Sequence, residues 1–373
     1  MRSPGIVRGP IGTTAAVAGR IFVTASSGRR GDRLHVLSFD ASDGKRVWER
    51  QFQATGRTMC HPKTCMAAPT PASDSKRIFA FYSTNDLFAL DLDGNLLWAR
   101  GLTWDYPNAS NSMGMASSPL VAGSTVVVQV ENQSCSFAAA LDAATGENLW
   151  KIERLPKPSW STPSLARLRV TAEEGAPEVA VVLLQSWDRL SAHDPATGRE
   201  LWGYESPTNC IPSPLALQDV VLLPAGGMVG LRPKPGSSVP EVAWESPKLR
   251  PGMSSPIVDG GRIYTLAGNG ILSCGDARTG EVAWQLRLKG EFSSTPAIAG
   301  RRLFAASEEG LLHLVRLGER GAEGQPAPKA EIEATKDLKE TILASPAVSG
   351  GALYLRSDAH LWKIGGKPKE RSF

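Results

Sequence analysis

No stretch of this chain approaches the ~18 uninterrupted apolar residues that a membrane-crossing helix needs, so a helical membrane span is excluded. Cysteine is scarce. Five of them in 373 residues (60, 65, 135, 210 and 274), an odd number, rule out a disulfide-built scaffold. Charge of one sign is nowhere concentrated: the net charge is +4, and Lys and Arg alternate with acids. Without a basic stripe carrying interleaved aromatics, a nucleic-acid partner is not expected. The C-terminal run KPKERSF is basic but short and reads as a solvated tail. The opening residues MRSPGIVRGPIG lack the apolar centre of a secretory signal, so the chain is expected to be cytoplasmic or to begin after a removed export signal. No G-x-S-x-G elbow, Walker loop or G-x-G-x-x-G fingerprint occurs before a helix pattern. GGMVG (226–230) and AGNGIL (267–272) read as strand-joining turns rather than phosphate cradles.

What the chain has in quantity is Gly (37), Pro (27) and a recurring Trp. Trp48, Trp98, Trp150, Trp202, Trp244 and Trp284 are separated by 50, 52, 52, 42 and 40 residues. Each closes one phrase: an apolar strand, an Asp, a Gly turn and the Trp strand, as in LHVLSFDASDGKRVWER (34–50) and LSAHDPATGRELWGY (190–204). In D-x-x-x-G the Asp can accept nearby backbone N–H groups and the Gly tolerates positive φ. A period of ~40–50 residues with four short strands per unit is that of propeller blades. One Trp per blade at one blade position is what inter-blade packing requires. The five His mostly fall in or beside the third strand of their units, and that recurrence argues for packing rather than a catalytic triad.

A second phrase precedes each Trp phrase: Ser/Thr-Pro, small apolar residues, a turn and an aromatic or branched strand. It reads SPLVAGSTVVV (118–128), SPIVDGGRIYTL (255–266) and SPAVSGGALYL (345–355), and TTAAVAGRIFV (13–23) matches without its Pro, giving eight copies. The expected fold is therefore an all-β, eight-bladed propeller of four-stranded antiparallel blades in one domain, 1–373. Its blades start near 13, 68, 116, 161, 212, 254, 294 and 344, with a tail at 365–373. Blade five is degenerate at RPKPGSSVPE (232–241). Blade seven replaces its turn with a polar surface loop, GERGAEGQPAPKA (318–330), leaving Ile332 near the Trp position. The eighth unit carries three strands, and the N-terminal segment 4–12 is expected to supply the fourth and close the ring.

The phrases S/T-P-x-x-x-x-G, L-D-x-x-T-G and the closing L-W resemble the repeats of quinoprotein-type propellers over nearly the whole chain. That superfamily includes pyrroloquinoline-quinone (PQQ) alcohol dehydrogenases and the propeller lipoprotein of the outer-membrane assembly machine. The chain is most similar to stand-alone bacterial PQQ-like repeat proteins. The resemblance implies export to the periplasm or cell exterior. The dehydrogenases hold Ca²⁺ with Glu, Asn and Asp beside the quinone and often carry adjacent cysteines. This chain has no Cys-Cys pair, and its Asn and Asp residues do not follow the ligand motif. No cofactor is expected, PQQ with calcium being the less favoured alternative; calcium alone takes about six to eight oxygen ligands.

In such blades the loops leading into the first strands and those joining strands two and three share one face, and here they hold the unusual residues. Trp104, Trp160 and Trp187 break the Trp register, which makes them candidate exposed contacts. With Tyr106, Asn108, Asn111, Met113, Met115, Asn209 and Met253 they form the candidate surface for a protein or peptide partner. The plainer reading is that these loops only plug the funnel. Cys60, His61 and Cys65, in MCHPKTCM, gather soft ligands of the kind that select Cu(I), or else close a small loop disulfide. A non-catalytic, monomeric partner-binding propeller is the leading expectation. A PQQ- or metal-dependent oxidoreductase is second, and a polysaccharide-binding protein whose off-register tryptophans stack on sugars is third.

Overall fold

The computed structural model describes residues 14–109, 113–173, 175–318 and 329–365. They form eight antiparallel sheets, seven of four strands and one of three, in which each strand pairs with its sequence neighbour. Blade one consists of Ala15–Val17, Arg20–Ser27, Arg33–Asp40 and Arg46–Gln53. The last consists of Ala347–Ser349, Ala352–Arg356 and Leu361–Gly365. The inner strands of blades one and eight touch, so the blades form a closed ring. The segment 4–12, assigned above to the fourth strand of blade eight, lies outside the described residues, as do the tail beyond 365 and positions 319–328 of the blade-seven loop. The one helix among the described residues, Leu102–Asp105, is short and follows the outer strand of blade two.

The inner strands begin at Ala15, Ala72, Leu120, Ser164, Leu215, Ile257, Ala297 and Ala347, a few residues after the starts expected. The Ser/Thr-Pro dipeptides stand just before the strands rather than inside them. Their hydroxyl residues have a role of their own. The backbone N–H of Thr70 donates to Ser118 Oγ (2.9 Å), Ser118 to Thr162 Oγ1 (3.0 Å), and Thr162 to Ser213 Oγ (2.9 Å). Ser213 continues to Ser255 Oγ, Ser255 to Thr295 Oγ1, and Thr295 to Ser345 Oγ, each at 2.9 Å. A belt of hydroxyls thus links seven successive blades around the axis and satisfies an N–H that strand pairing leaves over.

The Trp repeat forms a second, outer set of links. Trp48, Trp98 and Trp150 donate their indole N–H to the carbonyls of Leu92, Ala143 and Pro195, at 2.9, 3.1 and 2.9 Å. Each acceptor directly follows the turn Asp of the next blade. The turn Gly lies flat on the same ring. A Cβ added at Gly94, Gly146, Gly198 or Gly280 would meet the ring of Trp48, Trp98, Trp150 or Trp244 at 2.8, 2.7, 2.7 or 2.3 Å, all four having positive φ. The Gly is therefore required twice, for conformation and for contact. Within the turns, Asp142 Oδ1 accepts the N–H groups of Ala144 and Thr145, and Asp194 Oδ1 those of Ala196 and Thr197. These bonds hold the Asp142 carboxyl below the usual carboxylate range.

The indole bond is not made everywhere. Trp202 faces blade five, whose turn is replaced, and Trp244 faces the intact turn of blade six; neither buried indole N–H has a partner among the described residues. In blade seven the slot belongs to Ala334, not Ile332. Trp residues pair just before a register shift, as Trp150 does with Ala140 and Trp284 with Cys274, and there Ala334 pairs with Leu314. The polar stretch before it moved the apparent phrase by two residues.

The histidines are buried or half-buried and tied to neighbours. His35 bonds Ser27 Oγ and Glu49, His313 bonds Thr335 and the Lys289 carbonyl, and His360 bonds Glu340. His193 bonds Ser191 and the Gly198 carbonyl, and burial lowers its pKa to about 4.

Candidate binding face

The loops leading into the blades do not stand apart around an open mouth; they are tied into a circuit. His61 N–H donates to the Met113 carbonyl (2.9 Å), joining the loops before blades two and three. Trp160 Nε1 donates to the Gly114 carbonyl (2.9 Å), and its backbone N–H to the Cys210 carbonyl (2.8 Å). Asn209 Nδ2 reaches the Gly252 carbonyl (3.1 Å). Beside it Ser293 Oγ lies 3.6 Å from Met253 Sδ and donates its proton to Glu308. Lys63 Nζ then closes the circuit on Glu308 Oε2 at 2.9 Å, bridging residues 245 apart in sequence. Blades two and seven do not adjoin, so the 54–71 loop reaches past blades one and eight to make that contact.

Beneath the circuit, between blades three and four, lies a buried ionic cluster. Arg154 Nε meets Glu131 Oε1 at 2.8 Å, and Ser186 Oγ donates to the same oxygen at 2.8 Å. Burial pushes the Glu131 carboxyl up, opposed by the Arg154 charge. The Arg154 guanidinium also meets Ser191 Oγ, next to buried His193.

The expected site residues divide between this framework and the surface. Met115 is in the core, with Phe81 and Phe137. Tyr106 packs on Phe137 (ring centroids 4.6 Å apart) and accepts from Asn148. Trp160, expected to be exposed, is half-buried and holds two loops together, because its N–H has a carbonyl partner in the neighbouring loop. Asn209 is likewise engaged between loops. Asn111 lies outside the described residues. The remaining candidates are exposed: Trp104 (76%), Trp187 (47%), Met253 (50%), Met113 (40%) and the polar Asn108. Met59, Leu155 and Ile211 join them on the same face, a contribution that residue type alone did not announce.

The soft-ligand residues are engaged locally, with Cys60 packed against the core cluster that holds Cys65. Cys65 is buried among Met66, Ile78 and Tyr82, and Cys60 Sγ points to the Thr64 carbonyl at 3.6 Å. His61 Nδ1 accepts the Lys63 N–H at 3.1 Å. All five cysteines are unbridged thiols, and burial raises the pKa of both Cys60 and Cys65, which disfavours the thiolate a soft metal takes. Among the described residues no three His, Cys, Asp or Glu side chains converge on a metal-sized site.

Comparison with known proteins fits this architecture. A crystal structure of BamB from Moraxella catarrhalis superposes with a TM-score of 0.66 at 15% identity, covering 100% of both chains. A europium-containing methanol dehydrogenase gives 0.67 at 13%, over 97% of this chain and 85% of that one. A quinohemoprotein alcohol dehydrogenase from Comamonas testosteroni gives 0.64 at 14%, over 98% and 76%. At such identities the likeness is one of fold. No curated protein matches the sequence significantly. The family model described as outer membrane protein assembly factor BamB matches residues 7–151 and 225–323, and the chain belongs to that family of PQQ-like β-propellers.

Proposed function

We propose that the protein is a non-catalytic scaffold that binds a protein or peptide partner through its loop-rich face. The observation that carries this reading is the loop circuit. It links the loops before blades two to seven and braces a surface bearing Trp187, Met253, Met113 and Ile211. Exposed Trp and Met on a rigid support supply large contact area with little ordering cost, as interface hot spots do. Membership of a family described as an assembly factor is consistent with a partner-binding role.

The commitments of the polar side chains on this face favour the binding reading over a quinone with calcium. Asn209, Trp160 and Asp188, the side chains of the types such a site uses, are engaged with Gly252, Gly114 and Lys157. The fold likeness to quinoprotein dehydrogenases keeps the oxidoreductase reading as the alternative. One experiment separates them. Cross-linking mass spectrometry in the source cell compares the wild type with Trp187→Glu plus Met253→Glu, and with the outer-rim variant Leu97→Glu. A partner lost only from the loop-face variant supports the proposal. Stoichiometric PQQ retention after desalting, with dye-linked alcohol oxidation, overturns it.

A further inference from the structure

The off-register Trp104 stands beside a cleft of about 570 Å³ at the rim of blades two and three, lined by Thr55, Gly56, Arg57, Thr103, Pro107, Asn108 and Ser134. Its indole is the most exposed large hydrophobic side chain among the described residues, at 76%. Among the described residues, exposed Arg57 has neither an ion-pair nor a hydrogen-bond partner, and the Asn108 side-chain amide is equally uncommitted. The walls, by contrast, are fixed. Thr55 N–H and Oγ1 both donate to buried Asp86, at 3.0 and 2.5 Å. A Cβ on Gly56 would meet the Thr84 carbonyl at 1.9 Å, so only Gly lets this wall approach so closely. The helix bearing Trp104 is anchored by fully buried Leu102, whose N–H donates to the Asn85 carbonyl at 3.0 Å.

The groups facing the cleft are mixed in a particular way. Arg57, the Trp104 indole N–H and the Asn108 NH₂ donate. Thr55 Oγ1 has committed its proton to Asp86 and Ser134 Oγ its own to the Asn108 carbonyl (2.7 Å), so both present lone pairs. The Asn108 amide oxygen also accepts. A ligand made of hydroxyls uses donors and acceptors together, whereas an acidic peptide side chain only accepts. The indole face is the negative side of its quadrupole and attracts the positive C–H face of a pyranose ring. The Arg57 fork matches a carboxylate in two-pronged geometry.

We propose that this cleft binds a carboxylated sugar, a uronate residue of an acidic glycan. The ring stacks on Trp104, its carboxylate lies against Arg57, and its hydroxyls bond Asn108, Thr55 and Ser134. This goes beyond the partner-binding reading and stands apart from it, since that reading is tested at Trp187 and Met253.

The test is titration of the full chain with hexagalacturonate by calorimetry and Trp fluorescence. Maltohexaose and a glutamate-rich hexapeptide serve as the neutral and peptide comparisons. Saturable binding of hexagalacturonate is expected. Trp104→Ala should weaken it by roughly two- to tenfold, the size of one stacking contact. Arg57→Gln should erase the preference over maltohexaose, and Trp187→Ala should leave it intact. Absence of saturable binding, equal affinity in Trp104→Ala, or tighter binding of the acidic peptide overturns the assignment. Because Trp104 is exposed and Arg57 unpaired, the variants should fold like the wild type, which circular dichroism verifies.

Discussion

If the Trp–Gly contact holds blade to blade, replacing the glycine and removing the indole must not act independently. Gly198 has φ +72 and a Cβ there would come within 2.7 Å of the Trp150 ring. Gly198→Ala therefore incurs about 1–2 kcal/mol for a left-handed non-glycine residue, and roughly 1–3 kcal/mol more for displacing a packed ring. Trp150, 9% exposed and donating to Pro195, should cost about 3–5 kcal/mol as Trp150→Ala. In the Trp150→Ala background the second part of the glycine penalty has no ring to act on. The double variant should thus be about 1–3 kcal/mol more stable than the sum of the singles predicts. Gly123→Ala supplies the conformational baseline, because Gly123 has φ +64 and nothing within 4 Å of its added Cβ. Guanidinium unfolding followed by far-ultraviolet circular dichroism measures all four variants without relying on the deleted fluorophore. The reasoning fails if Gly198→Ala costs the same in both backgrounds, or no more than Gly123→Ala.

Acid should weaken the fold through His193. Its pKa is about 4 in the folded chain against 6.5 unfolded, so the unfolded state binds a proton first as pH falls. Stability present above pH 6.5 is lost toward pH 4, by roughly 3 kcal/mol in all, and His193→Gln should flatten that part of a melting-temperature profile. Arg154→Met strands a buried carboxylate and should cost about 3–5 kcal/mol at neutral pH, less at pH 4, where Glu131 is protonated. Lys63→Met should leave the melting temperature nearly unchanged while speeding amide exchange around residues 62–64, because the exposed ion pair with Glu308 ties that tip of the loop to blade seven. Unchanged exchange there would show that the loop needs no such tie.

The blades were legible because each repeats a local rule: Asp and Gly make a turn, and a Trp four residues beyond the Gly must be covered. The hydroxyl belt was visible only as a composition preference, since Ser118 and Thr162 meet through ring closure and not through sequence proximity. The site was legible as a face but not as contacts. Met115 and Trp160 look like Met113 and Trp187 in sequence. Whether a loop residue is core, brace or surface depends on partners such as Gly114, Phe81 and Cys210 in other blades, which periodicity does not encode. Ile332 was misplaced for the complementary reason: without a turn motif, nothing local marks the register shift that selects Ala334.

The hydroxyl belt and the Trp–Gly links run head to tail: where a joint is intact, a blade offers a donor to the next and an acceptor to the one before. Such a joint is indifferent to which copy it meets, since Ser and Thr alternate freely in it. A unit duplicated whole would bring both halves of each joint with it and leave no orphaned group, so blade number is set by the geometry of the ring and not by the chemistry of the joints. Individuality in this chain has accordingly accumulated in the loops between the joints, where it disturbs neither link.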